Sequence, residues 1–353
     1  LIIIDLDNFK AVNDTRGHAA GDQLLVHVAR CLETVVGDRG FAVRLGGDEF
    51  LLFFERLDGA EELDALCAEL IAQFARDRRV NMLDVDVKFS VGASIYPDHG
   101  RTLSELLSNA DIALYESKTS GKNTHRLFTP ALRAARDARA QLEEDLGQAL
   151  ADGAFELFLQ PRVSVADDSI VGAEALLRWR REDGRYTPPE AFIQASEDTG
   201  LIVPLGAWVI ESAAREQRRL AALGHDLTIS VNVSPRQFVT AGFAETLAAM
   251  IATADCAPDR IELEITETML VRDDDANVAL LERIRDMGFK LAIDDFGTGY
   301  SNLVTLQSFP VTSLKVDRSL IQTIGRPRSV AGLVLSFCDL LGIKAVAEGV
   351  ETL

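Results

Sequence analysis

Cysteine is scarce and scattered. The chain has four in 353 residues, Cys31, Cys67, Cys256 and Cys338, and no two form a Cys-x-x-Cys pair. That spacing excludes a disulfide framework or a zinc knuckle and fits small residues in a reducing cytoplasm. Long apolar runs are missing too. None approaches the roughly 20 residues of a membrane span, and none reads as a signal peptide. Positive charge is in deficit: 36 Lys and Arg stand against 55 Asp and Glu, a net charge of −19. The overall field therefore opposes a nucleic acid polymer as partner. A small anionic ligand stays compatible, because bound divalent cations reverse the local potential. The first residues, Leu1-Ile2-Ile3-Ile4, already read as a strand. The expectation is a fragment truncated at both ends, with any membrane attachment confined to a segment upstream.

What is present is a chain too long for one ordinary core, 47% apolar, so two domains are expected. Over residues 1–128 the pattern mixes helices and strands. Leu1–Ile4 is a strand ending at Asp5. A helix over Gly21–Val36 carries Leu24, Leu25, Val28 and Leu32 on one face. Phe41–Leu45 and Phe50–Phe54 flank Gly46-Gly47-Asp48-Glu49 as a hairpin. Helices are expected over Gly59–Arg76 and Leu103–Ser117. Alternation of Val85, Val87, Phe89 and Val91 with Asp86, Lys88 and Ser90 predicts a half-buried strand. A helix over Pro130–Ala151 joins the halves, as a plain surface helix or as a signalling connector. Beyond it, strands at Phe155–Gln160, Ala173–Trp179, Leu227–Val233, Ile261–Thr266, Lys290–Asp294, Ser313–Asp317 and Lys344–Ala347 alternate with helices such as Leu205–Leu223 and Ala276–Met287. Repeated strand–helix units predict a mostly parallel, closed barrel, with an eighth strand beyond Leu353.

Acids collect at the ends of these later strands: Glu174, Glu264, Glu267, Asp294, Asp295, Asp317, Glu348 and Glu351, with Asn232 and Lys315 among them. The carboxyl ends of parallel barrel strands share one face, where catalytic residues gather. Hard oxygen ligands suit Mg²⁺ or Mn²⁺. Adjacent Asp294 and Asp295 can share two ions, which suits phosphodiester cleavage. Lys315, between Leu314 and Val316, is costly unless it meets carboxylates or a developing anion. A lone strand-end acid is ordinarily a solvated side chain or a helix cap, so the weight lies in their number.

The segments Leu159-Gln160-Pro161, Glu174-Ala175-Leu176-Leu177-Arg178-Trp179, Val231-Asn232-Val233-Ser234, Glu264-Ile265-Thr266-Glu267, Asp294-Asp295-Phe296-Gly297-Thr298-Gly299, Leu314-Lys315-Val316-Asp317 and Glu348-Gly349-Val350-Glu351 resemble the EAL family of cyclic di-GMP phosphodiesterases. The resemblance runs from about Gln141 to the end. It implies that Glu174, Asn232, Glu264, Asp294 and Asp295 hold the metals, and that Glu174 thereby takes part in catalysis. It implies further that Lys315 contacts the nucleophilic water, that Glu351 supports the metal–water cluster, that Gln160 and Arg178 hold the dinucleotide, and that Glu267 anchors the loop after Asp295. Arg162 stands where an apolar residue is more usual.

In the first half, Asp5 and Asp48 would meet on one metal-bound triphosphate if their strands are neighbours. Gly46 and Gly47 admit phosphates close to the backbone. Asn13 and Asp22 flank Gly17-His18 and suit a guanine edge, and Lys10, Lys118 and Lys122 suit phosphate. Gly-Gly-Asp is also common turn chemistry. Together, Asp5-Leu6-Asp7-Asn8-Phe9-Lys10, Asn13-Asp14, Gly17-His18, Gly21-Asp22, Arg44-Leu45-Gly46-Gly47-Asp48-Glu49-Phe50 and Ala110-Asp111 to Tyr115 resemble the GGDEF family of diguanylate cyclases. The resemblance implies a nucleotidyl-cyclase-like α/β sandwich that condenses two GTP in a homodimer. Asp5 and Asp48 would be on metal, Glu49 at the 3′-hydroxyl, and Asn13 and Asp22 on guanine. The family's inhibitory product site is lost, since Gly37 and Gly40 replace its Arg and Asp, and Lys122 replaces an arginine, keeping charge without the bidentate fork.

The organisation expected is thus a GGDEF domain over 1–128, a helical linker over 129–140 and a TIM-like barrel over 141–353 lacking its last strand. The function expected is cyclic di-GMP turnover, with hydrolysis leading. Two alternatives stand beside it: a GGDEF domain that only binds GTP to regulate its neighbour, and a non-catalytic receptor.

Overall fold

The computed structural model describes residues 1–76, 87–270, 275–297, 309–324 and 329–350. The backbone separates into two compact units, Leu1–Ala140 and Gln141–Leu353. No helix among the described residues is long and apolar enough to cross a membrane.

In the first unit the apolar opening forms β1 (Ile2–Leu6), which sits inside a five-stranded sheet. Its neighbours are β2 (Gly40–Gly46), β3 (Glu49–Phe54), β4 (Phe89–Ala93) and β5 (His125–Leu127), in the order β2-β3-β1-β4-β5. β1 pairs antiparallel with both β3 and β4. Its side chains alternate between two layers. Ile2, Ile4 and Leu6 pack against helices α2 (His18–Val36) and α3 (Ala60–Arg76), whereas Leu1 and Ile3 meet α4 (Leu103–Thr119). Burial on both faces explains the unbroken apolar run. A short α1 (Phe9–Arg16) precedes α2, broken by Gly17 at φ 83°.

The alternation around residues 85–91 predicts a half-buried strand, and the structure differs. β4 begins at Phe89 and all five of its residues are buried, Ser90 included. Val85 and Asp86 lie outside the described residues. The strand is central and covered by helices on both faces, so its polar Ser90 turns its hydroxyl to Asp7 (2.9 Å) instead of water. Gly92 of β4 lies directly under α4, where an added Cβ would sit 2.1 Å from the Ala110 carbonyl and 2.2 Å from the Leu114 nitrogen. Backbone atoms of a packed helix cannot rotate away, so Gly92→Ala is expected to destabilise this unit by about 3 kcal/mol, read as a lowered denaturation midpoint with an unchanged slope.

The second unit begins within α5 (Pro130–Asp152), a continuous helix whose Leu142, Leu146, Ala149 and Leu150 pack with Phe155, Trp179 and Phe192. Its sheet runs β13-β12-β11-β10-β9-β7-β6, with β8 paired to β7. The strands are β6 (Phe155–Val163), β7 (Ile170–Arg180), β8 (Tyr186–Thr187), β9 (Thr228–Asn232), β10 (Ile261–Thr266), β11 (Lys290–Phe296), β12 (Ser313–Val316) and β13 (Lys344–Ala347). β6–β7 and β7–β8 are antiparallel, and every pairing from β7 onward to β13 is parallel. The result is a curled half-barrel open between β13 and β6, with no further strand on the path among the described residues. Helices Ile202–Ala222, Phe243–Thr253, Asp275–Asp286 and Ala331–Leu341 cover its outside. Alternate strand residues, such as Ile229, Val231, Leu263, Ile265, Leu291, Ile293, Leu314 and Val316, face those helices. Among the remaining, inward positions, Ser230, Asn232, Glu262, Glu264, Asp294, Ser313 and Lys315 are polar.

Candidate functional site

The period of two places Asn232, Glu264, Asp294 and Lys315 on the inward face of four consecutive parallel strands, with Glu174 on β7 beside them. Lys315 is the hub. It is 2% exposed, and its Nζ lies 2.7 Å from Glu264, 2.9 Å from Glu348, 3.0 Å from Asp294 and 3.2 Å from Glu174. Asn232 Nδ2 donates to the other Glu174 oxygen at 3.0 Å. Four carboxylates around one ammonium give this cluster three more formal negative charges than positive ones.

That excess is felt in the protonation equilibria. Burial raises the Glu264 carboxyl to about 7, with the Glu174 and Asp294 charges adding to it against Lys315. Burial and the neighbouring acids likewise raise Asp295 and Glu348. Burial alone would discharge Lys315, but Glu264, Asp294 and Glu174 outweigh it and hold the ammonium above the usual lysine range.

Adjacent residues of a regular strand point to opposite faces, so Asp294 and Asp295 should not share a ligand. A bulge removes the conflict: the β11–β12 register shifts between Ile293 and Phe296, and Asp295 takes φ 54°. One oxygen each from Asp294, Asp295 and Glu348 then falls within 4.8 Å of the others. Such a left-handed non-glycine residue is held against strain of order 1–3 kcal/mol.

These residues fit a divalent cation. The donors are hard oxygens, their cluster is formally anionic, and Glu264 Oε1 is buried with no hydrogen-bond partner among the described residues. Glu348 is a residue that the motif resemblance passed over in favour of Glu351. Its place at a strand end was the available signal. Glu351 and the segment Thr298 to Ser301 lie outside the described residues.

Around this centre, Gln160 stands opposite Glu174 in the β6–β7 register, and Arg178 is two pairs further along on the same face, opposite Glu156. Arg178 Nη1 donates to the Leu177 carbonyl, and its guanidinium lies over the Phe158 ring. Glu267, 3% exposed at the start of a short helix after β10, accepts from the Gly297 amide at 3.2 Å. It ties that helix to the end of β11.

The first unit gathers its own acids. β1 pairs with β3 so that Asp5 faces Glu49, and the Leu6 amide donates to the Asp48 carbonyl. Lys118 pairs with Asp5 at 2.7 Å. Burial raises the Asp5 carboxyl, the Asp48 and Asp7 charges add to this, and Lys118 opposes it. Lys122 reaches Asn8 Oδ1 at 3.0 Å. Asn13 on α1 packs against Gly21 of α2, where a Cβ would lie 2.0 Å from Asn13 Oδ1, and Asp22 is the exposed next residue. Asp7, quoted within the motif but given no role, accepts from Ser90 Oγ and from the Asn123 amide at 2.8 Å. It fixes the loop that presents Lys122, whose φ of 60° needs such a tie.

Comparison with known proteins identifies two family models, "EAL domain" over residues 143–353 and "Diguanylate cyclase, GGDEF domain" over residues 1–124. Across its whole length the chain is 38% identical to the bifunctional diguanylate cyclase/cyclic di-GMP phosphodiesterase MucR of Pseudomonas aeruginosa, covering 52% of that protein. It is 37% identical to the cyclic di-GMP phosphodiesterase NbdA of the same organism, covering 45%. The chain thus spans about half the length of the curated relatives it matches. A solved structure, "PaMucR Phosphodiesterase, c-di-GMP complex", matches 60% of this chain and 87% of that one at 39% identity, with a TM-score of 0.57.

Proposed function

The chain belongs to the EAL domain family and carries a GGDEF domain in tandem, and from that membership we propose that it turns over cyclic di-GMP, hydrolysing it to linear pGpG in the second unit. The observation that carries this is the Lys315 cage, four carboxylates and one ammonium at the end of parallel strands. Similarity to MucR and NbdA supports it. Glu174, Asn232, Glu264, Asp294 and Asp295, with Glu348, are the groups we assign to divalent cations, Mg²⁺ or Mn²⁺. Bound there, such ions supply Lewis acidity and an acidified water.

The chain's own part is to hold and to orient. Gln160 and Arg178 grip the dinucleotide beside the acids. Lys315 keeps its proton at Nζ, because the carboxylates around it make discharge unfavourable, and so offers a fixed donor to the attacking oxygen. The water oxygen bonds to phosphorus, the bond to the 3′-oxygen breaks, and that oxygen leaves as a hydroxyl. Glu267 holds the end of β11, and Glu351 is assigned to the same cluster on resemblance alone.

For the first unit we propose GTP as ligand. Asp5 and Asp48 take the metal, Lys118 and Lys122 the phosphates, Asn13 and Asp22 the guanine, and Glu49 the attacking 3′-hydroxyl. Two GTP condense between the subunits of a homodimer. We place the GGDEF domain at 1–128, a helical linker at 129–140 and the EAL domain at 141–353, in a cytoplasmic setting suited to four cysteines outside any disulfide.

Product analysis tests both halves. Offered cyclic di-GMP with Mg²⁺ or Mn²⁺, the protein should yield pGpG. Chelation should abolish the reaction and either ion should restore it. Offered GTP in an Asp294→Asn background, it should accumulate cyclic di-GMP. Absence of pGpG under every metal condition would leave a receptor, and absence of cyclic di-GMP would leave a GTP-dependent regulator.

A further inference from the structure

The inward face of β6, β7 and β8 carries residues that the acids do not account for. Directly opposed residues of antiparallel strands share a face. Going outward from the acids, the pairs are Gln160 with Glu174, Phe158 with Leu176, and Glu156 with Arg178, and β8 adds Tyr186 opposite Arg180. The other face, with Phe155, Leu157, Leu159, Leu177 and Trp179, packs under helices. Phe158 and Tyr186 therefore look into the mouth of the half-barrel, and each is 43% exposed.

They are also fixed. The two rings meet edge to face at 5.2 Å and 71°. Tyr186 donates its hydroxyl to Glu156 Oε2 at 2.7 Å, and Glu156 Oε1 pairs with Arg180 at 3.3 Å. The Arg178 guanidinium stands 5.6 Å from the Phe158 centroid. Phe158, one same-face pair from Gln160 and Glu174, and Tyr186 further toward the mouth stay partly open to water, which is costly in the free protein and suits a flat occupant.

We propose that Phe158 and Tyr186, nearly perpendicular to each other, form a stacking wall for one guanine base of the cyclic dinucleotide, the base lying flat on one ring and edge-on to the other, with Arg178 bridging from that base toward the phosphate. The inference rests on the phosphodiesterase reading and extends it to the base. Continuity with the acids selects this occupant: a dinucleotide whose phosphodiester reaches Glu174 brings a planar base to the next residues along the strand. Stacking tolerates any base, so the wall contributes affinity, and discrimination between purines must come from hydrogen bonds elsewhere. The contact is the same before and during bond cleavage. It therefore lowers KM and leaves kcat alone.

The experiment uses the full chain and its variants Phe158→Ala, Phe158→Trp, Tyr186→Ala and Tyr186→Phe. A stacked base is worth enough that either alanine variant should raise KM for cyclic di-GMP about tenfold, with kcat within about twofold and an unchanged unfolding midpoint. Phe158→Trp and Tyr186→Phe should stay near the parent. A cyclic dinucleotide bearing 2-aminopurine should lose fluorescence on binding the parent and lose far less with Phe158→Ala. An unchanged KM in both alanine variants, or a fall in kcat with KM constant, overturns the stacking wall while hydrolysis stands. Quenching that depends on Phe158 in a protein that makes no pGpG would support the wall and remove the phosphodiesterase reading.

Discussion

Lys315→Met yields a protein that still binds cyclic di-GMP but hydrolyses it about a thousandfold more slowly, equivalent to about 4 kcal/mol of barrier. Methionine keeps the length and apolar stem of the side chain and removes only the charge, so the barrel wall stays filled. What is lost is a buried donor fixed by four carboxylates. The same substitution deepens the negative potential at Glu174, Glu264, Asp294 and Glu348. Affinity for Mg²⁺ or Mn²⁺ should consequently rise, because the ammonium competes with any cation for those oxygens. Single-turnover hydrolysis across a metal titration separates the roles. Recovery of full rate at saturating metal would show that Lys315 only balances charge. A persistent deficit at every concentration marks it as a group that acts on the attacking oxygen.

Much of this arrangement was legible before any coordinates. β10 occupies Ile261–Thr266 as its composition predicts, and strand-end acids pointed to one face of a barrel because parallel strands leave no other place for them. Three features were not. The pairing of Asp294 with Asp295 depends on a bulge and a left-handed residue, and no side-chain pattern announces a register shift between strands distant in sequence. The antiparallel start of the half-barrel is the second: strands over Phe155–Gln160 and Ala173–Trp179 leave about a dozen residues between them, enough for a crossover, and only the longer β6 and β7 reduce the link to residues 164–169. The half-buried alternation proposed around Phe89 failed because alternation reports the chemistry of two faces, not whether helices cover both. In β9, β10 and β12, Ser230, Glu262 and Ser313 stand two residues before Asn232, Glu264 and Lys315 and form a second polar layer beneath the acids.

That layer gives the largest expected change in stability. Glu262 is 4% exposed. Its Oε1 accepts from Ser313 Oγ at 2.7 Å, and its Oε2 accepts from Ser230 Oγ at 2.9 Å and from Arg162 Nη1 at 2.5 Å. Burial pushes the Glu262 carboxyl up, but the Arg162 charge and the two serine hydroxyls outweigh it and bring it below its ordinary value. Gly172, opposite Arg162, leaves the room: a Cβ there would lie 3.0 Å from Nη2. Arg162, which departs from the usual apolar residue, is thus the partner of a buried carboxylate, and its Nε already lacks a hydrogen-bond partner among the described residues. Glu262→Ala strands that guanidinium, and the second unit should lose about 3–5 kcal/mol. Arg162→Met with Glu262→Leu removes both charges and fills the space with apolar atoms, so the pair should cost far less than the single change, and the double-mutant cycle should show strong coupling. Urea denaturation of the four proteins measures it. Additive losses would mean that the two side chains are held independently and that the layer is only a set of separate hydrogen bonds.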